Sequence, residues 1–188
     1  MINENLLKKV DSSEMYKVYD KWPEIARQYY EEDFINIDFG EITHVVFAGM
    51  GGSGTIGDIF SAILSKTNIH VEVVKGYLLP KTVDSKSLVV AISVSGNTEE
   101  TLNVLDSASK LKCKIIAFSD GGKMQKFCND KGLNHRKIPM KHSPRASFPI
   151  YLFSILRVLE PFLPIQKNDI INSLEILEKQ RNKIFSNN

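Results

Sequence analysis

Apolar residues gather along this chain in four short runs, at His44–Ala48, Ile69–Val74, Leu88–Ser93 and Lys114–Phe118, and a fifth, more polar strand signal lies at His135–Pro139. Their length and their Val, Ile and Phe content predict strands. The near-continuous apolar character of Val45-Val46-Phe47-Ala48 and Leu88-Val89-Val90-Ala91-Ile92 marks strands covered on both faces. Between these strand signals, helical spacing predicts helices at Gly54–Ser65, Glu99–Leu111 and Lys123–Asp130, and after the fifth at Ser147–Leu159 and Lys167–Phe185. Ahead of the first strand, Asn5–Val10 and Ser13–Ala26 also read as helical, the second carrying a stripe of Met15, Val18, Tyr19, Trp22, Ile25 and Ala26. Pro23 lies inside that stripe and predicts a break or a restart there. The stripe itself reads as core packing or as a clamp on the sheet.

Strands that alternate with helices predict an α/β fold, a three-layer α/β/α sandwich around a five-stranded parallel sheet with right-handed crossovers. The expected organisation is an N-terminal helical segment over residues 1–40, a domain over 41–165 and a C-terminal helix over 166–188. In such sheets the binding crevice lies at the C-terminal ends of the strands, at the point where the strand order reverses. A flavodoxin-like order 2-1-3-4-5 makes the first and third strands neighbours, so the loops that follow them face each other. That order is inferred from the loops and not from the hydrophobic pattern.

Those two loops carry the chemistry. The first reads Gly49-Met50-Gly51-Gly52-Ser53-Gly54, and the second Ser93-Val94-Ser95-Gly96-Asn97-Thr98, and each follows an apolar strand and opens a helix. A helix start presents unpaired N–H groups and the positive end of the macrodipole, which suits a phosphate. Glycines permit close approach of the backbone, and Ser93, Ser95 and Thr98 add uncharged donors. Part of the second loop has a structural explanation: Asn97 or Thr98 caps the helix, with Glu100 completing a capping box. Capping leaves Ser93, Ser95 and Gly96 unexplained. Gly49, Gly51 and Gly54 also satisfy the G-x-G-x-x-G spacing of dinucleotide sites. That reading expects an acidic residue at the end of the second strand, where Val73-Val74-Lys75-Gly76 stands instead. A Walker loop fails because no lysine follows Gly54.

Composition narrows the picture. At 188 residues the chain is long enough for a sizeable core, and 43% hydrophobic and 24% charged residues are ordinary for a globular protein. A net charge of +2, from 24 basic and 22 acidic residues spread along the chain, argues against a nucleic-acid surface. No apolar run reaches the roughly 20 residues of a membrane helix, and Met1–Lys9 carries no signal-peptide core, so a cytoplasmic location is expected. Cys113 and Cys128, with no CxxC, read as reduced and mostly buried thiols, and His44 and His70 as structural strand residues. No metal site is expected.

On the two loops the chain is similar to the sugar isomerase (SIS) domain family, and within it resembles the bifunctional phosphoglucose/phosphomannose isomerases of archaea and some bacteria. Met15-Tyr16-Lys17-Val18-Tyr19-Asp20-Lys21-Trp22 looks like the leading helix of that group, and His142-Ser143-Pro144-Arg145-Ala146-Ser147-Phe148 like its Pro-Arg-Ala segment. The resemblance implies aldose–ketose interconversion of glucose or mannose 6-phosphate with fructose 6-phosphate, within glycolysis and gluconeogenesis, through a cis-enediolate. It implies no metal or organic cofactor, a small-molecule sugar phosphate as ligand, no nucleic-acid or membrane partner, and a homodimer. Gly52, Ser53, Ser93, Ser95 and Thr98 would hold the sugar phosphate, and Arg145 would stabilise the enediolate oxygen as charge develops. Read alone, Arg145 is better taken as a helix-start residue in a surface ion pair. The family's enzymes carry two SIS domains in tandem, and no position here matches the proton-transfer residues of the second. Glu99, Glu100 and His142 are the nearby acid–base candidates. The expectation is an N-terminal half of a longer enzyme that is inactive alone, with a single-domain isomerase or a sugar-phosphate-sensing module as the alternatives.

Overall fold

The computed structural model describes residues 4–33 and 37–186. The expectations for Met1–Lys9 and for the segments 1–40 and 166–188 therefore fall partly outside the described residues. Three helices come first: α1 (Glu4–Val10), α2 (Met15–Asp20) and α3 (Trp22–Glu31). Then follow β1 (His44–Ala48), α4 (Gly51–Leu64), β2 (His70–Val74), β3 (Ser87–Ile92) and α5 (Glu99–Ser109). The chain continues through β4 (Lys114–Ser119), α6 (Gly122–Lys131) and β5 (Asn134–Lys137) to α7 (Phe148–Leu159), a 3-10 turn and α8 (Lys167–Ser186).

All four strand pairings are parallel and the order is β2-β1-β3-β4-β5. The expected three-layer α/β sandwich is the observed architecture. Because successive strand residues point to opposite faces, odd and even positions of β1 belong to different cores. Val45 and Phe47 pack with Ile56, Phe60 and Leu64 of α4 and with α7, whereas Val46 and Ala48 pack with Val104, Leu105 and Ala108 of α5 and with Met124 and Cys128 of α6. Every residue of β1 and β3 is buried, as two covered faces require.

The helix boundaries differ from the expected ones for local reasons. The stretch read as Ser13–Ala26 is two helices meeting at Lys21, with Pro23 in the first turn of α3, where its missing N–H costs nothing. α3 runs on to Glu31 and places Ala26, Tyr29 and Tyr30 in the same core as the sheet. α4 begins at Gly51, three residues before the expected Gly54, because Met50 is extended and Ser53 N–H already bonds Met50 O at 3.0 Å. α6 stops at Gly132, whose φ of 63° allows Leu133 N–H to reach back to Cys128 O at 2.9 Å.

α4 crosses β1 closely at Gly57. A Cβ there would lie 2.9 Å from Phe47 Cβ and 2.9 Å from Val73 Cγ1, and Phe47 stacks on Phe60 with ring centroids 5.2 Å apart. Alanine gains up to about 1 kcal/mol of helix propensity over glycine. Overpacking of a tight core costs about 1–3 kcal/mol. Overpacking wins, so Gly57→Ala is expected to destabilise the protein, read as a lower urea midpoint at unchanged m-value.

Candidate functional site

The strand order reverses between β1 and β3. From β1 the chain goes outward to β2, then returns to β3 on the other side, so the loops leaving β1 and β3 emerge side by side. Glycine makes their contact possible. A Cβ on Gly49 would lie 3.0 Å from Ile92 O and 2.9 Å from Ser53 Cβ, and one on Gly54 would lie 2.8 Å from Gly49 O. Gly52 differs: it is exposed, and a Cβ there would meet nothing within 4 Å. No side chain caps α4, and its first turn holds no acidic residue. Ser53 and Gly54 N–H bond Met50 O at 3.0 and 3.3 Å, so the open end of the helix, with its partial positive charge uncancelled, lies at Gly51 and Gly52.

Beside this helix start lies a cleft of about 350 Å³. Gly52, Ser53 and Ile56 of α4 form one wall, and Val94 represents the second loop. Pro144, Arg145, Phe148 and Tyr151 close it from the segment leading into α7, and Trp22 from the start of α3. Trp22 was read from sequence as part of a packing stripe. Its indole Nε1–H donates to Ala146 O at 2.9 Å, which ties α3 to the segment carrying Arg145. Tyr151, wholly buried, donates to Ile138 O at 3.0 Å, and burial holds its phenol well above the ordinary tyrosine range. Neither aromatic was expected at the site, because a sequence does not disclose which face of a helix meets a loop more than a hundred residues away.

The exposed Arg145 guanidinium makes no hydrogen bond or ion pair among the described residues, so the surface ion pair considered for it is absent there. Its backbone is held from below. Ser147 is fully buried; its hydroxyl accepts from Lys141 N–H at 2.8 Å and donates to Ser143 O at 2.9 Å. His142 sits at the turn with φ of 60°, is exposed, and does not line the cleft. Its charge is a minor contributor to holding the Asp11 carboxyl below the usual range, after the backbone N–H groups of Tyr16 and Met15.

The second loop departs from the expected capping. Thr98 is the N-cap residue of α5, but its side chain makes no cap bond; Thr98 Oγ1 pairs with Ser93 Oγ at 2.8 Å. Asn97 bridges two loops instead, donating to Ser95 O at 3.0 Å and accepting from Lys123 N–H at 3.0 Å. Glu100 lies beside Tyr77, whose phenol it holds above the ordinary range. Glu99, without an expected partner, pairs with Lys123 Nζ at 2.6 Å. Gly96, at φ 68°, packs directly on Gly121 of the loop after β4, where a Cβ would collide with Gly121 O. Ser93 is buried, Thr98 half-buried and Ser95 exposed, and none of the three lines the cleft. The structure thus gathers Gly52, Ser53 and Arg145 on one cleft and sets the hydroxyls on the adjoining loop.

A wider surface groove of about 530 Å³, lined by Asp20, Lys21, Glu24, Arg181 and Asn182, is a poorer candidate. Its arginine is already engaged: Arg181 donates to the backbone oxygen of Asp20 at 2.6 Å and pairs with Glu24 at 2.8 Å.

The SIS domain family profile matches residues 40–156, which span the sheet, both loops and the Arg145 segment. The chain belongs to the SIS domain family. It is 40% identical over 134 residues to a bifunctional phosphoglucose/phosphomannose isomerase of Caldicellulosiruptor bescii, covering 68% of this chain and 40% of that protein. Against the enzyme of the same name from Aquifex aeolicus it is 33% identical over 185 residues, covering 93% of this chain and 54% of the relative. The SIS chain thus spans about half the length of the curated relatives it matches. Its fold matches the C-terminal domain of glucosamine-fructose-6-phosphate aminotransferase from Francisella tularensis with a TM-score of 0.61 at 18% identity, covering 89% of this chain and 54% of that one. No described helix is long and apolar enough to cross a membrane.

Within this SIS domain, Ser147→Ala is expected to cost roughly 0.5–1.5 kcal/mol, because the Lys141 N–H loses its acceptor while Ser143 O keeps the Ser147 N–H. Chemical denaturation measures that loss, and faster hydrogen exchange at the Lys141 amide localises it to the segment bearing Arg145.

Proposed function

We propose that this chain is the phosphate-binding half of a phosphosugar isomerase that interconverts glucose or mannose 6-phosphate with fructose 6-phosphate. One observation carries the reading: an uncapped, acid-free helix start and an unengaged arginine share a cleft whose lining residues include no carboxylate and no imidazole. Such a cleft can bind an anion and stabilise developing charge. It cannot take the proton that isomerisation removes from C2 of the open-chain aldose and returns to C1.

In this reading the Gly52 amide and the Ser53 hydroxyl at the start of α4 hold the phosphate. The second loop adds uncharged donors. Of the Ser93–Thr98 hydroxyl pair, one O–H is consumed internally at 2.8 Å and the other remains to donate, from Thr98 when Ser93 is the internal donor. The Ser95 hydroxyl accepts from Asn97 N–H at 3.2 Å and keeps its own proton for the ligand. Arg145 meets the enediolate oxygen. The acid–base groups come from a second SIS domain, a reading supported by the 40% and 54% of the relatives' length that the chain covers. Residues 41–165 then form the ligand-binding unit, with 1–40 packed on it and 166–188 leading toward its partner domain in a cytoplasmic homodimer. A sugar-phosphate-sensing module would use the same cleft without turnover.

Gly52→Ala is expected to fold at least as stably as the parent, since the added methyl meets open space, yet to bind fructose 6-phosphate at least tenfold more weakly by calorimetry. Ser95→Ala with Thr98→Ala removes two donors to a charged acceptor, each worth roughly 1.5–3 kcal/mol, and weakens binding further. The 188-residue chain is expected to show negligible glucose 6-phosphate isomerisation in a coupled assay. Joined to a second SIS domain it is expected to turn over, and Arg145→Ala then lowers turnover far more than substrate affinity. Robust turnover by the short chain would overturn the division of labour.

A further inference from the structure

We infer that His44, His70 and Glu72 form a binding site for a zinc-class divalent metal ion, at the edge of the sheet opposite the cleft. The inference does not depend on the proposed isomerase function. His44 and His70 open β1 and β2 and are partners in the parallel register, so they project from the same face; Glu72, two residues along β2, returns to that face. Their ligand atoms converge. Glu72 Oε1 lies 3.2 Å from His44 Nε2 and 3.4 Å from His70 Nε2, and all three atoms lie within 4.8 Å of one another.

The protonation pattern around His44 points to a cation. Ser87, fully buried at the start of β3, is His44's partner on the other side, with its Oγ 3.2 Å from His44 Nδ1. The Ser87 hydroxyl gives its proton to Asp84 Oδ1 at 3.0 Å and accepts from Asp84 N–H at 2.9 Å. It can therefore only accept from His44, which puts the imidazole proton on Nδ1 and leaves a lone pair on Nε2. That Nε2 is buried, makes no hydrogen bond, and belongs to a side chain only 7% exposed. A lone pair and a carboxylate oxygen 3.2 Å apart repel unless a proton or a metal ion lies between them, and the convergence of His70 Nε2 on the same carboxylate oxygen favours the metal ion. The Ser87–Asp84 arrangement is the outer hydrogen bonding that orients metal-bound histidines. Thr82 Oγ1, donating to Glu72 Oε1 at 2.8 Å, orients the carboxylate in the same way.

The dimensions fit. A tetrahedral zinc with bonds of about 2.0–2.1 Å has ligand–ligand edges of roughly 3.3 Å. Two of the three edges already match at 3.2 and 3.4 Å, and the third closes by rotation of His70, whose side chain is 64% exposed. Two imidazoles and one carboxylate suit zinc-class ions better than the hard oxygen-seeking cations. Three protein ligands leave a fourth position for water. Because β2 is the edge strand, the ion would clip it to β1.

The test is titration of the chelator-stripped chain with zinc chloride by calorimetry, with cobalt(II) absorbance reporting the coordination geometry. Expected are one saturable site per chain of micromolar affinity or better, a tetrahedral cobalt spectrum, and a higher Tm with zinc. His44→Ala abolishes binding but risks the buried position. His70→Ala and Glu72→Gln sit at the surface and are expected to keep the fold by circular dichroism while weakening zinc at least tenfold each. Absence of a 1:1 site, or affinity within threefold of the parent in the His70→Ala/Glu72→Gln double variant, would overturn the assignment.

Discussion

The adjacency of β1 and β3 is the constraint on which the rest of the molecule depends. The two strands are separated in sequence by a complete helix–strand unit, yet they pair in register from His44↔Ser87 to Ala48↔Ala91. Only that pairing sets two loop-to-helix transitions side by side. The contact between them is backbone against backbone at Gly49, where a Cβ would lie 3.0 Å from Ile92 O, while Gly96 packs the second loop in the same way against Gly121 after β4. The cost is two helix starts without side-chain caps, each foregoing about 1 kcal/mol. Sites that break a local stability rule in this way are where function is expected.

Electrostatically the two helix starts are not equivalent. The first turn of α4 holds no acid, whereas α5 opens on Glu99 and Glu100. Lys123 neutralises Glu99, but two carboxylates beside one helix terminus still oppose an incoming anion. The α4 terminus is therefore the stronger anion seat, with the hydroxyl-bearing loop as an uncharged flank. Arg145 adds the one positive side chain of the cleft lining, on a segment held by the buried Ser147 and by Trp22.

Much of the fold was legible in the sequence because the buried strands β1, β3 and β4 read as continuous apolar runs; the edge strands β2 and β5 are more polar, and all five lie within a residue or two of where the pattern puts them. The order β2-β1-β3-β4-β5 was legible only through the paired loops. What escaped the pattern was side-chain traffic. Thr98 and Asn97 have a capping residue's chemistry, but Thr98 pairs with Ser93 and Asn97 reaches Lys123, contacts created by folding rather than by local spacing. Trp22 looked like any apolar residue of an amphipathic helix until α3 met the Ala146 carbonyl. His44, His70 and Glu72 were unreadable as a group because their convergence rests on register between two strands, and spacing along one chain carries no register.

The most direct test of the central claim is a titration of the ¹⁵N-labelled chain with fructose 6-phosphate, followed amide by amide. The account predicts saturable shifts at Gly51–Gly54, along Val94–Thr98 and at Arg145, with the opposite sheet edge around His70 unmoved. Shifts confined to the groove lined by Asp20, Glu24 and Arg181, or no saturable shift at the two loops, would contradict it.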